Sequence, residues 1–258
     1  MVMKTDIILI GIDDTDTLES TGTGRMARDL ADYLISLGMG SSLGVSRHQL
    51  LVDDRIPYTS HNSSLCIGLK TDIPLKEFYG PSKEFLRKNF REGSDPGLCI
   101  SSPDRITDNI KDFGLRAQRE VLNKNQASDL AAEHGIFLVE LGGTGEGIIG
   151  SLAGVGLRVE GNSGRYIDLP GIRDIKGTVT VSDLLARTDI ESVINIKGNV
   201  LAGDETIDSR DWMRPSLVNG QPVLRVRPRL SSLNDNSWTS AELREREKRE
   251  LREIFGNL

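Results

Sequence analysis

Cysteine is scarce in this chain: two in 258 residues, with no Cys-x-x-Cys spacing. That excludes a zinc ribbon and a thiol redox motif. Both cysteines lie inside apolar runs, Leu65-Cys66-Ile67 and Leu98-Cys99-Ile100, and read as small core residues. Long apolar stretches are also missing. No run of roughly 18 apolar residues occurs, which argues against a membrane helix. The N-terminal residues lack the apolar stretch of a signal peptide, so a cytoplasmic location is expected. Positive charge is in deficit as well: 32 Lys and Arg against 38 Asp and Glu, a formal net charge of -6. The molecule as a whole is not drawn to polyanions, so contact with nucleic acid would need a local basic patch.

What is present is an ordinary globular composition, 37% hydrophobic and 27% charged. The length suits one large or two small domains with a real core. The most informative stretch is near the start. The apolar run Ile7 to Ile10 leads into Gly11-Ile12-Asp13-Asp14-Thr15-Asp16-Thr17, then into Thr21-Gly22-Thr23-Gly24. Clustered carboxylates at a strand end resist desolvation unless a cation sits among them or they stay wet. Oxygen-only ligands suit Mg²⁺, and Mg²⁺ usually arrives with phosphates. A glycine turn at a helix start can bring backbone N–H groups to an anion. The reading is a Mg²⁺–phosphate site in which Asp13, Asp14 and Asp16 hold the metal and Gly22 and Gly24 approach phosphate. The alternative is an Asp-rich turn with capping residues, although three carboxylates exceed what capping needs.

The pattern alternates strands and helices, the mark of an α/β layer structure. Asp6 to Ile12 reads as a strand covered on both faces. Met26, Leu30, Leu34 and Leu37 recur at helical spacing, and Gly38 ends that helix. Leu43 to Ser46, Leu65 to Leu69, Leu98 to Ser101 and Ile136 to Leu141 read as strands. Ser82 is placed as the cap of a short helix carrying Phe85, Leu86 and Phe90. From Asp104 to His134 the pattern is helical, with an interruption at Gly114 and a second N-cap at Ser128. A boundary is expected near Gly161 to Gly171. Beyond it, short runs at Thr178–Val181, Val193–Ile196 and Val223–Arg227 suggest a smaller module. Arg225, Arg227 and Arg229 would share one face if extended, as an anion-binding stripe or as a solvated strand face. Thr239 and Glu242 form a capping box for a last helix ending at Gly256.

A second glycine loop follows the Ile136–Leu141 strand. Seven of the 27 glycines fall between 142 and 156. It is not a Walker A loop, because no Gly-Lys-Ser/Thr follows. Gly143, Thr144, Gly145 and Gly147 would cradle phosphate through close backbone approach. Otherwise they form a turn before a tightly packed helix of small residues. Between the two glycine loops, Arg55 to Ser64 is dense in hydrogen-bonding side chains, and His61 and Asn62 are candidates for nucleotide contact. Arg25, near the first helix start, is placed either to neutralise charge on a transferred phosphoryl group or to pair with Asp29 four residues on.

Taken in order, the GIDDTDT stretch, the glycine-threonine turn, Ile56-Pro57-Tyr58, Asp95-Pro96-Gly97 and the run Gly145 to Gly156 resemble the N-terminal kinase-like domain of the archaeal isoleucine-tRNA agmatidine synthetases. The resemblance covers roughly Met1 to Glu160. It implies an ATP-dependent, Mg²⁺-requiring enzyme. That family phosphorylates the C2 oxygen of a wobble cytidine, and agmatine then displaces the phosphate. In the family a threonine of the turn takes part in phosphoryl transfer, and Thr23 is the residue offered for that role here. The family's oligonucleotide-binding barrel and zinc ribbon are not evident in the C-terminal part. The acceptor is therefore expected to be a small molecule, or an RNA delivered by a partner protein.

The expectation is an α/β fold: an ATP-binding, kinase-like domain over 1–165 with a mixed sheet and flanking helices, then a smaller α+β module over 166–258. Its function is ATP- and Mg²⁺-dependent phosphoryl or nucleotidyl activation, with Asp13, Asp14, Asp16, Thr23 and Arg25 catalytic. A non-catalytic nucleotide-binding module and a haloacid-dehalogenase-like phosphatase are the alternatives. The phosphatase reading rests on Asp14-Thr15-Asp16-Thr17 at the strand end, with Leu18 where that class requires Thr.

Overall fold

A computed structural model describes residues 6–17, 22–56, 62–210, 213–229 and 237–241. The chain divides into two compact units, Met1–Leu169 with Leu217–Gly220, and Pro170–Ser216 with Gln221–Leu258. The first unit contains β1 (Asp6–Asp13), α1 (Thr23–Ser36), β2 (Ser41–Gln49), β3 (Ser63–Thr71), α2 (Tyr79–Asn89), β4 (Gly97–Ser101), α3 (Asp108–Ala117), α4 (Lys124–Glu133), β5 (Phe137–Glu140), α5 (Gly147–Glu160) and β6 (Arg165–Asp168). Its strands run in the order β5-β4-β1-β3-β2-β6, each antiparallel to its neighbour.

The period-two alternation of β1 explains its two-sided cover. Ile8, Ile10 and Ile12 point to one face, where they meet Ala27, Leu30 and Leu34 of α1 and Leu86 of α2. Leu9 points to the other, with Cys66 and Cys99 from the flanking strands. There it meets Ile148, Leu152 and Val155 of α5 and Ile110 and Phe113 of α3. Each of these fully buried aliphatic side chains contributes about 2 kcal/mol. Both cysteines are free and buried, as small core residues.

The α5 side is packed unusually close. A Cβ on Gly11 would collide with the Ser151 carbonyl, and one on Gly97 with the Gly147 backbone. On the far side of α5, a Cβ on Gly114 of α3 would lie 2.9 Å from the Ala153 oxygen. The small residues of α5 therefore serve helix–sheet packing. Gly161, with φ +88°, ends the helix.

The second unit contains β7 (Thr178–Thr180), α6 (Val181–Arg187), β8 (Ser192–Asn195), β9 (Thr206–Asp208), β11 (Gln221–Pro228) and β12 (Trp238–Ser240), while β10 (Ser216–Val218) spans the division. Here β8–β11 and β9–β12 pair parallel, and β11–β12 and β7–β9 antiparallel. The class is mixed α/β with helices flanking a mixed sheet, as the alternating pattern predicts. No helix among the described residues is long and apolar enough to cross a membrane.

Several element limits differ from the sequence reading, each for a local reason. β2 is longer than Leu43–Ser46 because β3 and β6 pair along it. Ser82 is buried inside α2, which runs on from a 3-10 turn at Leu75–Phe78. Gly114 does not break α3; it lets α5 approach. Ser128 lies within α4, whose cap is Asn123: its side chain accepts the Gln126 N–H at 3.0 Å, and Gln126 accepts the Asn123 N–H at 2.9 Å. Val181 opens α6, capped by Thr180 accepting from the Asp183 N–H at 3.1 Å. Thr239 stands in β12 and is not a helix cap; residues 242–258 and the helix expected there lie outside the described residues.

The packing predicts a contrast. Gly11→Ala should lower stability by about 1–3 kcal/mol through overpacking. Gly80→Ala, in α2 with nothing within 4 Å of the new methyl, should raise it by up to about 1 kcal/mol. Urea unfolding of both variants checks this; equal effects would remove the close-approach argument.

Candidate functional site

At the C-terminal end of β1 lies a cleft of about 160 Å³. A water needs roughly 10–15 Å³ on this scale, so the cleft takes a ligand-sized group. Asp13, Asp14, Asp16 and Thr23 line it. So do the apolar side chains of Leu50, Ile56, Ala117, Val121, Leu122 and Ile149, and Asn62, Ser63, Glu120, Glu146, Gly147 and Gly150 complete the described wall with Arg55. The start of α1, at Thr23, and the start of α5, at Gly147, both reach it.

The three carboxylates play separate parts. Asp13 is the last residue of β1, and its side chain rests on α5, where a Cβ on Gly150 would strike its Oδ2. Burial, and then the neighbouring Asp14 charge, push its carboxyl well above the ordinary range. Asp14 takes the left-handed conformation, φ +50°, which aspartate tolerates better than most residues. Burial raises its pKa to about 6, helped by the charges of Asp95, Asp16 and Glu146. Asp16 turns toward α1. Its Oδ1 accepts the Thr23 N–H at 3.1 Å and also accepts the Thr23 hydroxyl. The Thr23 oxygen in turn accepts the Thr15 N–H at 3.3 Å. Asp16 thus serves as the anion at the α1 N-terminus.

Among the described residues, no three His, Cys, Asp or Glu side chains converge as a metal-ligand group. Asp16 is drawn off by Thr23. Asp13 and Asp14 remain as a donor pair whose charged neighbours are carboxylates. That donor set suits a hard cation. Mg²⁺ commonly takes one or two protein carboxylates and completes its shell with water and phosphate oxygens.

The second glycine loop is built as a brace. The Thr144 N–H donates to the Asp95 carboxylate, and the Gly147 N–H donates to the Asp95 carbonyl at 3.0 Å. Lys124 Nζ donates to the Thr144 carbonyl at 2.8 Å and pairs with Glu140 at 3.0 Å. Gly143 and Gly145 take positive φ against Asp95 and Glu140. The amides of Thr144 and Gly147 are therefore committed to protein acceptors, whereas the phosphate cradle expected from the sequence needs them turned to a ligand. Of this loop's candidates, Gly147 alone lines the cleft; Gly143, Thr144 and Gly145 do not. Gly22 lies beside Asp16 as the α1 N-cap, and Gly24 packs toward Ile167. Arg25 bonds Asp29 at 2.7 and 2.9 Å, the helix-pair role. Asn62 lines the cleft with its amide donating to the Leu51 carbonyl at 2.6 Å. His61 lies outside the described residues. In the second unit Arg225 is exposed, while Arg229 lies 3.4 Å from Asp208, so the arginines do not form one free stripe.

Sequence reasoning missed the apolar wall and Glu120. They come from the ends of α3 and the loop after it, and from Leu50 and Ile149. Residue type alone does not separate them from core. Val121, an apolar side chain 39% exposed, is the one with a surface signature.

No protein-family model matches the chain. The uncharacterized protein MJ0921 of Methanocaldococcus jannaschii is 26% identical over 158 residues, 60% of this chain and 51% of that protein. The chain thus spans about half the length of that curated relative. Among solved structures, apo TiaS, described as an isoleucine-tRNA agmatidine synthetase, aligns with TM-score 0.50 at 21% identity, over 58% of this chain and 35% of that one. TiaS in complex with an isoleucine tRNA and ATP gives 0.51 at 22%, over 58% and 36%. A tRNA fluorescent labeling enzyme gives 0.51 at 23%, again over 58% and 36%. These likenesses establish the fold and a distant structural relationship to TiaS.

The strained acidic turn predicts a pH-dependent stability difference. Asp14 titrates near 6 when folded, above its ordinary 3.8, so ionising it costs stability. Its favourable contribution is complete below 3.8 and lost as the pH rises through 6. Asp14→Asn, which keeps a residue tolerant of positive φ, should therefore stabilise the metal-free protein at pH 7.5 by about 1–2 kcal/mol after solvent screening. At pH 4 the gain should nearly vanish. Urea unfolding in EDTA at both pH values measures it; a pH-independent difference would remove the electrostatic cause.

Proposed function

We propose that the cleft binds ATP with Mg²⁺ and uses it to activate an acceptor by phosphoryl or nucleotidyl transfer. The observation that carries this reading is the make-up of one cleft. It brings the part-buried Asp13 and Asp14 and Thr23 together with the apolar side chains Leu50, Ile56, Ala117, Val121, Leu122 and Ile149. A nucleotide combines the same two characters, charged phosphates and a flat, largely apolar base. The distant fold relationship to TiaS, solved with ATP and an isoleucine tRNA, supports the choice.

In this reading Asp13 and Asp14 hold Mg²⁺, which would offset their mutual repulsion and bring in phosphate oxygens. When bound, the ion supplies charge stabilisation at the transferred group. The rest falls to the chain itself. Asp16 fixes Thr23 and accepts its hydroxyl proton, so the Thr23 oxygen is held at the start of α1 beside the phosphate end. The N-terminal ends of α1 and α5 add favourable potential for anions. The glycine loop, braced by Asp95 and Lys124, holds α5 and Glu146 in place. The acceptor is a small molecule or an RNA presented by a partner protein. A nucleotide-binding module without turnover is the second reading. It is favoured by Asp16 and Thr23 being engaged with each other.

Calorimetric titration with ATP tests the site. Asp13→Asn should weaken ATP binding in Mg²⁺ at least about tenfold and change it much less in EDTA. Val121→Arg, at the exposed rim of the apolar wall, should weaken binding in both. Equal affinity in wild type and both folded variants would overturn the assignment. Slow ATP hydrolysis by the wild type supports the enzyme, and tight binding without hydrolysis supports the module.

A further inference from the structure

Arg47 and Arg165 face each other across β2 and β6. Arg47 pairs with Leu65, whose side chain belongs to the α1 face, so both guanidinium groups stand on that face. They lie toward the end of the sheet where β1 delivers Asp13 to Asp16. The first turn of α1 packs one step further down β6, where a Cβ on Gly24 would lie 3.2 Å from Ile167. Arg47 Nε donates to Ser63 Oγ at 2.8 Å, and Ser63 lines the cleft. Both arginines are part-buried.

Like charges directly across a strand pair are destabilising. Burial and Arg165 both act against the charged form of Arg47, and Asp16 acts in its favour. Asp16 also accepts two hydrogen bonds from Thr23, so its charge is shared. An anion bound between the two guanidinium groups would relieve their repulsion, whatever protein partners each also keeps. Planar guanidinium forks match phosphate oxygens, and the α1 N-terminus nearby adds potential of the same sign.

We infer that Arg47 and Arg165 form a phosphate-binding subsite at the α1 edge of the cleft. It deepens the nucleotide reading and rests on it for one point, which phosphate is held. The group belongs either to the nucleotide or to a phosphate-bearing acceptor.

The test titrates inorganic phosphate into the full chain and follows arginine Nε resonances by NMR, with and without saturating ATP and Mg²⁺. Wild-type Nε signals of Arg47 and Arg165 should shift. Arg47→Gln and Arg165→Gln should weaken phosphate binding at least about fivefold, and Arg47→Lys less. Arg87→Gln, on the exposed side of α2, should leave it unchanged. A response that persists with ATP assigns the site to the acceptor's phosphate; one abolished by ATP assigns it to the nucleotide's own. No arginine shift in wild type, or unchanged affinity in both folded glutamine variants, overturns the subsite. A phosphate response in a protein that does not bind ATP would keep the subsite and sink the nucleotide reading.

Discussion

The closeness of α5 to the central strands governs the first unit. Gly11 and Gly97 let the backbone of α5 lie almost directly on β1 and β4. A helix a methyl group further away would leave Leu9, Cys66 and Cys99 without their partners. It would also lift the start of α5 from the end of β1, where Asp13 rests over Gly150. The core and the cleft therefore share one constraint, met on the sheet side by Gly11 and Gly97.

A second constraint sits at the other helix. The chain must leave β1 and enter α1, and the α1 N-terminus needs an anion. Asp16 meets that need and binds the Thr23 hydroxyl in the same act. The result is a division of labour among three adjacent carboxylates. One faces α1. The other two are desolvated, Asp14 beside Asp95 and Glu146, so the pKa of each is raised above the ordinary carboxylate range. Such a site is costly as an isolated turn and reasonable as a place where a cation brings compensating charge.

The distant relationship to TiaS fits this picture at the level of fold. The order of motifs along the chain pointed toward the same family, and the polypeptide adopts a related layered arrangement over 58% of its length. Around the cleft this chain's own geometry sets the local roles. The Thr144 amide turns inward to Asp95, Arg25 is paired on its own helix, and Arg47 and Arg165 stand opposite each other across β2 and β6.

Much was legible in the residues themselves. The alternation in β1, the apolar spacing of α1, the burial of both cysteines and the acidic strand end all follow from periodicity and desolvation cost, which are local properties. Tertiary structure decided the rest. Whether Gly114 breaks a helix depends on α5 needing room beside it. Whether Thr144 offers its N–H to a ligand depends on Asp95, 49 residues away. The cleft's apolar wall gathers side chains from segments far apart along the chain, and apart from exposed Val121, and Ile56 of the 55–64 stretch, they read as ordinary core. Sequence determines what each segment can bury and what charge it carries. Only the packed fold determines which backbone donors are already taken and which charges meet, because those depend on neighbours far apart along the chain.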